Sequence, residues 1–143
     1  MTEYRLLVHG CPIAKKRPRF ARRGKFVMTY NSQETEEGRF LFEIKQQWKR
    51  DPLTGPIELR AEFYMPIPKS TSKKKTLSMI AREIKHTKRP DLDNCLKFIK
   101  DCLNQTVWID DSQVFKVEAE KVYSDNPRTI IFVQEIKSCP EAT

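Results

Sequence analysis

Asp91-Leu92-Asp93-Asn94-Cys95-Leu96-Lys97-Phe98-Ile99-Lys100-Asp101-Cys102-Leu103-Asn104-Gln105 is the stretch on which the reading of this chain turns. Leu92, Cys95, Leu96, Ile99, Cys102 and Leu103 recur at three- and four-residue steps, which lays one apolar stripe along an α-helix. Pro90 places Asp91 at the mouth of that helix, so its carboxylate is not tied to helical spacing relative to Asp93. A short turn at Asn104–Thr106 leads to Trp108-Ile109-Asp110-Asp111. Two strands follow, about Gln113–Tyr123 and Arg128–Ile136, with Ser124-Asp125-Asn126-Pro127 read as the hairpin turn between them.

Working back from the helix, Ile57 to Met65 alternates strictly. Ile57, Leu59, Ala61, Phe63 and Met65 face inward and Glu58, Arg60, Glu62 and Tyr64 outward, the period of a half-buried strand. Pro66 and Pro68 break the chain, after which Ser70 or Thr71 caps a basic helix with Leu77, Ile80, Ala81 and Ile84 on one face. Asn31 or Ser32 caps an earlier helix running to about Arg50, its buried stripe being Phe40, Leu41, Ile44 and Trp48. Tyr4, Leu6 and Val8 share one side of a first short strand that Cys11-Pro12 ends. The basic stretch that follows, with a turn at Arg23-Gly24, reads as a loop or a projecting hairpin. The order is β-α-β-α-α-β-β. This predicts an α+β fold, a single domain over residues 1–143 with a mixed sheet and helices packed on it, and a frayed tail at 138–143.

The chain has 143 residues, 38% hydrophobic and 32% charged, a soluble globular composition able to bury a modest core. No run approaches the roughly 18 apolar residues of a membrane span, and Met1-Thr2-Glu3-Tyr4-Arg5 lacks the order of a signal peptide. A cytoplasmic protein with no membrane partner is expected. Cys11, Cys95, Cys102 and Cys139 show no C-x-x-C spacing, so they read as reduced thiols rather than as a zinc or redox site.

The net charge of +8 is unevenly spread. Lys15, Lys16, Arg17, Arg19, Arg22, Arg23 and Lys25 fall between residues 15 and 25 with no acid among them. Residues 69–89 carry eight more basic residues, including Lys73, Lys74, Lys75, Lys88 and Arg89, against Glu83 alone. Each segment nets +7, which leaves the remainder acidic at −6. Concentrated positive charge on an acidic body points to a polyanion, because phosphate contacts and counterion release supply most non-specific nucleic-acid affinity. Either run alone would pass for a solvated face. Two runs flanking an acidic cluster do not pass so easily.

That cluster is Asp91-Leu92-Asp93 at one end of the helix-turn unit and Asp110-Asp111 at the other. Taken singly, Asp91 or Asp93 is an ordinary helix cap and dipole partner, and Asp110-Asp111 an ordinary polar turn. D-x-D occurs in many unrelated enzymes. Dehalogenase-type phosphotransferases place it after an apolar strand, whereas here it follows Lys88-Arg89-Pro90. Whether Asp111 reaches the Asp91 end is a tertiary question that spacing leaves open. If they meet, carboxylates crowded together require a cation, and an all-oxygen set suits magnesium. Lys97, one turn after Asp93, shares its face and can steady a carboxylate or meet a phosphate, though it is equally an ordinary partner for Asp93 and Asp101.

As a unit, Arg89-Pro90-Asp91-Leu92-Asp93-Asn94-Cys95-Leu96-Lys97, then Asp101-Cys102-Leu103-Asn104, then Trp108-Ile109-Asp110-Asp111-Ser112-Gln113-Val114, closely resembles the RusA family of Holliday junction resolvases, small and often prophage-encoded endonucleases. Weaker resemblance extends to Pro12–Arg19 and the last strands. The resemblance implies a homodimer that binds four-way DNA junctions and nicks two opposed strands with Mg2+ or Mn2+. It implies Asp91, Asp93 and Asp111 as metal ligands, with adjacent Asp110 as a further candidate ligand or helper, Lys97 as an essential lysine and Asn94 as support. A departure is cysteine at 95 and 102 where aliphatic residues are more usual; both fall on the buried face. In-line attack by an activated water would leave a 5′-phosphate and a 3′-hydroxyl. The two basic segments would hold the junction arms, and Phe20, Phe26 and Tyr30 would either stack on unpaired bases or pack within the hairpin. His9 and His86 read as ordinary surface or strand residues. Two other readings stay open: a branched-DNA-binding protein without catalysis, its carboxylates serving as caps, and a nuclease of broader branched-DNA specificity.

Overall fold

The structure is a computed structural model that describes residues 2–16 and 34–137 in full and the strands at 19–23 and 26–30 by their backbone. Its spine is strand β4 (Ile57–Pro66), where every second residue from Ile57 to Met65 is buried, as the alternation predicts. β4 has neighbours on both sides. β6 (Arg128–Glu135) pairs with it antiparallel and β5 (Val114–Ser124) pairs with it parallel. β1 (Thr2–His9) adds antiparallel to the far side of β6, giving a mixed sheet in the order β1-β6-β4-β5. β2 (Arg19–Arg23) and β3 (Phe26–Tyr30) form a separate two-stranded ribbon, the hairpin alternative for the basic stretch.

Parallel strands need a long crossover, and here helices α2 (Lys73–Ile80) and α3 (Leu92–Leu103) supply it between β4 and β5. α3 and the earlier helix α1 (Glu34–Gln47) bury their stripes against the inward face of β4. Phe40 of α1 meets Phe98 of α3 edge to face at 5.4 Å, and Ile44, Cys95, Ile99 and Leu103 fill the space beneath. Trp48, just past α1, is buried as expected, while Leu41 is only partly covered. Truncating an aromatic such as Phe98 in a core of this kind costs about 3–5 kcal/mol.

Two sequence expectations are overturned. The segment Ser124-Asp125-Asn126-Pro127 is no hairpin turn between paired strands, since β4 lies between β5 and β6. The connection instead steps over the end of β4. Arg128 holds it there, donating to the Asn126 carbonyl at 2.8 Å while its guanidinium lies 3.8 Å over the Tyr64 ring of β4. Three linking residues reach across the roughly 10 Å that two strand spacings require. The second correction concerns α2. Its N-cap is Ser72, whose hydroxyl accepts from the Lys75 amide at 3.2 Å, rather than Ser70 or Thr71. Its buried residue is Met79, whereas Leu77 and Ile80 are exposed, and the helix stops before Ala81 and Ile84. Arg82 in the left-handed region at φ 65° carries the chain out of the helix. The caps expected at Asn31 or Ser32, the turn at Gly24, and the tail at 138–143 lie outside the described residues. Among the described residues no helix is long and apolar enough to cross a membrane.

Candidate metal centre

α3 begins at Asp91, whose backbone takes the extended N-cap conformation while its carboxylate makes no capping hydrogen bond. The bland reading of this residue as a cap therefore describes only its backbone. The exposed side chain opens on a surface depression shared with Ala14, Arg89, Pro90 and Asn94. Asp93 projects from the first turn and accepts from the Asn94 amide at 3.0 Å. It lines an adjacent depression with Leu96, Lys97, Lys100, Asp101 and Asp111. Of the two ends of the acidic motif, Asp93 and Asp111 line one depression together with Lys97, while Asp91 lines the other.

Asp110 and Asp111 are adjacent but separately employed. Asp110 caps the short 3-10 turn Asp111–Gln113, accepting from the Ser112 amide at 2.9 Å, and the Gln113 side chain returns to the Asp110 amide at 2.8 Å. Hydrogen bonding from Ser112 holds the Asp110 carboxyl below the usual carboxylate range. Asp111 is half-buried and receives the indole N–H of Trp108 at 2.8 Å. Trp108 is fully buried, and among the described residues Asp111 is the partner its N–H has. That bond fixes one carboxylate oxygen toward the protein. Gln113 anchors the turn further by donating to the carbonyls of Leu53 and Gly55.

The loop ahead of Asp91 is held by a residue the motif did not include. Lys121 of β5 donates to the Lys88 carbonyl at 2.9 Å and the Pro90 carbonyl at 2.8 Å. A signal for it was present, since Lys121 occupies the inward register of Val117, Ala119 and Tyr123, where an apolar residue would be ordinary. His86 packs against Tyr123 with ring centroids 4.7 Å apart and the planes tilted by 55°; burial and then the charge of Lys121 lower its pKa. Burial pushes the Cys95 thiol up to about 11 and the Cys102 thiol up to about 12. Those thiols are protonated core residues, as expected.

The basic residues divide. Lys73, Lys74 and Lys75 are exposed in the first turn of α2, and Lys88 and Arg89 are exposed beside Asp91. Lys15 is committed inward, its ammonium 2.9 Å from Glu37 and 3.3 Å from Asp101, with its amide bound to the Asn94 carbonyl at 2.9 Å. Burial opposes its charge, but hydrogen bonding to Glu37 and Asp101 outweighs that and raises its pKa. Lys16 stands 3.9 Å from Glu36. Arg17 and the side chains of Arg19, Phe20, Arg22, Arg23, Phe26 and Tyr30 lie outside the described residues.

The chain matches the family described as Endodeoxyribonuclease RusA over residues 9–134. It belongs to the RusA family. A relative in Bacillus subtilis (strain 168), the uncharacterized protein YqaN, is 33% identical over 135 residues, which is 92% of this chain and 95% of that protein. RusA membership supports endonucleolytic cleavage of DNA as the activity of the chain. On donor chemistry, the residues fit a hard divalent cation. Among the described residues no group of three or more His, Cys, Asp and Glu is placed to hold a metal ion, but magnesium is ordinarily held by one or two carboxylates together with waters and substrate phosphate. Asp93 and Asp111, which line one open surface, are donors of that kind, and the carboxylate of Asp91, two residues before Asp93, makes no capping hydrogen bond.

Proposed function

We propose that this chain is a divalent-metal-dependent endonuclease that resolves four-way DNA junctions as a homodimer, with Mg2+ as the working ion and Mn2+ as a substitute. Asp91, Asp93 and Asp111 would hold the ion. The observation that carries this reading is the shared surface of Asp93, Asp111 and Lys97, together with an Asp91 carboxylate not spent on capping its helix. Asp110, spent on its cap, is left out of the ligand set.

A divalent ion held there supplies Lewis acidity to a scissile phosphate and makes a water acidic enough to act as nucleophile near neutral pH. The chain's own groups do the rest. Lys97 lines the same depression and would offer an ammonium to a non-bridging phosphate oxygen that gains charge. Trp108 keeps Asp111 oriented, and Lys121 keeps the Lys88–Pro90 carbonyls, and so the helix start, in place. Arg89 flanks Asp91 and can take a phosphate adjacent to the cut. The exposed lysines of α2 and the basic ribbon would extend a cationic track for the DNA phosphates. Three lysines in the first turn of a helix work against its dipole. Their presence there is better explained by a polyanionic partner than by stability.

A synthetic four-way junction incubated with the protein tests this. Paired nicks with magnesium, none with chelator, and little cleavage of fork or linear duplex are expected. Binding without cleavage in any metal would favour the non-catalytic reading, and equal cleavage of fork and junction the broader nuclease.

A further inference from the structure

The sheet has two outer edges, and they are treated differently. At the β1 edge, Gln47 closes the backbone: its side-chain oxygen accepts from the Leu7 amide at 2.8 Å and its nitrogen donates to the Leu7 carbonyl at 2.7 Å. Among the described residues no side chain closes the first half of the β5 edge in this way, and Phe115, Lys116, Val117 and Glu118 are exposed there. The loop after α2 reaches β5 on its second half, Arg82 on Glu120, His86 on Tyr123 and Lys88–Pro90 on Lys121. Among the described residues, Val114–Ala119 has β4 as its one neighbouring strand. Phe115 is 58% exposed, Val117 37% and the nearby Ile109 52%. A long unpaired edge with exposed apolar residues is a template for another strand.

We propose that this edge is the homodimer interface, with β5 of one copy pairing antiparallel to β5 of a second about a two-fold axis through Val117. The charge order supplies the register. Directly opposed residues of paired strands lie on one face, so a two-fold axis must pass through a residue. An axis at Lys116, Glu118, Glu120 or Lys121 sets a like charge against itself, and one at Ala119 sets Glu118 against Glu120. At Val117, Lys116 meets Glu118 of the second copy twice, Val117 meets itself, and Ala119 stands beside the bulged Phe115. Alone among these registers, it opposes unlike charges and no like ones. β5 follows directly from the Asp111–Gln113 turn, so the axis lies six residues from a proposed ligand. Six residues span at most about 22 Å, which places the two Asp111 within roughly 45 Å of each other. The choice of a second copy as occupant extends the junction-resolving reading, and it rests on that reading only in needing two nicking centres.

The test uses the full chain and reads association rather than cleavage, so its failure is separable from failure of the nuclease. By sedimentation equilibrium, wild type is a dimer, Glu118→Lys weakens it by on the order of ten-fold or more, and Lys116→Glu with Glu118→Lys restores it. In a background with Cys11 and Cys139 changed to Ser, Val117→Cys cross-links to itself under mild oxidation. Opposed Cα atoms at about 4.5–5.5 Å are within disulfide reach. Phe115→Cys, four positions out of register with its own copy, does not cross-link. A monomeric wild type, a dimer indifferent to both charge changes, or Phe115→Cys cross-linking as well as Val117→Cys would overturn the interface, whatever the protein does to DNA.

Discussion

Asp110 and Asp111 show how little a residue's type says about its use. One caps a turn through Ser112; the other is half-buried under the Trp108 N–H. The difference yields a prediction. Trp108→Phe keeps most of the ring volume and removes the hydrogen bond, so Asp111 loses its orientation. Magnesium affinity, read by calorimetry, should fall by roughly ten-fold to a hundred-fold, as it does when second partners of metal ligands are lost. An unchanged affinity would remove Asp111 from the ligand set. His86 carries a second prediction. Its folded pKa is depressed by burial and by Lys121, so the neutral ring is the one the fold accepts. Any stability this contributes is complete above the ordinary value near 6.5 and is lost as pH falls through that window and below. Its NMR titration midpoint should lie under 6.5; a midpoint above it would contradict the packing against Tyr123.

Among the elements, β4 and α3 could be read directly, because strict alternation and a three-four stripe are local patterns that burial enforces. α2 could not be read in the same way. Its Leu77 and Ile80 mimic a buried face, yet with eight residues and one buried position the helix has no stripe to commit. Its lysines are the more informative feature. Replacing Lys73, Lys74 and Lys75 with Gln should stabilise the helix by about 0.3 kcal/mol or more per site, by relieving the dipole. The same variant should weaken junction binding and reduce the slope of log affinity against log salt by up to about 0.9 per lost phosphate contact. Unchanged slope and affinity would return α2 to the status of a solvated face.

Across the whole molecule, the parts hidden from the sequence are those that depend on a third element. Nothing local in Ser124–Pro127 reveals that β4 will occupy the space between β5 and β6. Likewise, 18 residues separate Asp93 from Asp111, and only the packed α3 and its return turn bring both to one surface. Lys15 read as a DNA contact because it begins a basic run; Glu37 and Asp101, from two different helices, draw it inward. The thiols, by contrast, were legible from their place on the α3 stripe. In the native protein, iodoacetamide should modify exposed Cys11 while Cys95 and Cys102 stay protected, as mapped by peptide mass spectrometry. Rapid labelling of Cys95 would mean that α3 does not pack as described.

On the function proposed above, the acidic surface at the start of α3 holds the ion used for cutting. The most direct measurement is Asp93→Asn against wild type on one labelled four-way junction, with binding and magnesium-dependent cleavage read from the same samples. Cleavage should fall by at least a hundred-fold while junction affinity is equal or tighter, since a ligand and a negative charge near phosphate are lost together. Wild-type cleavage by Asp93→Asn would contradict the claim.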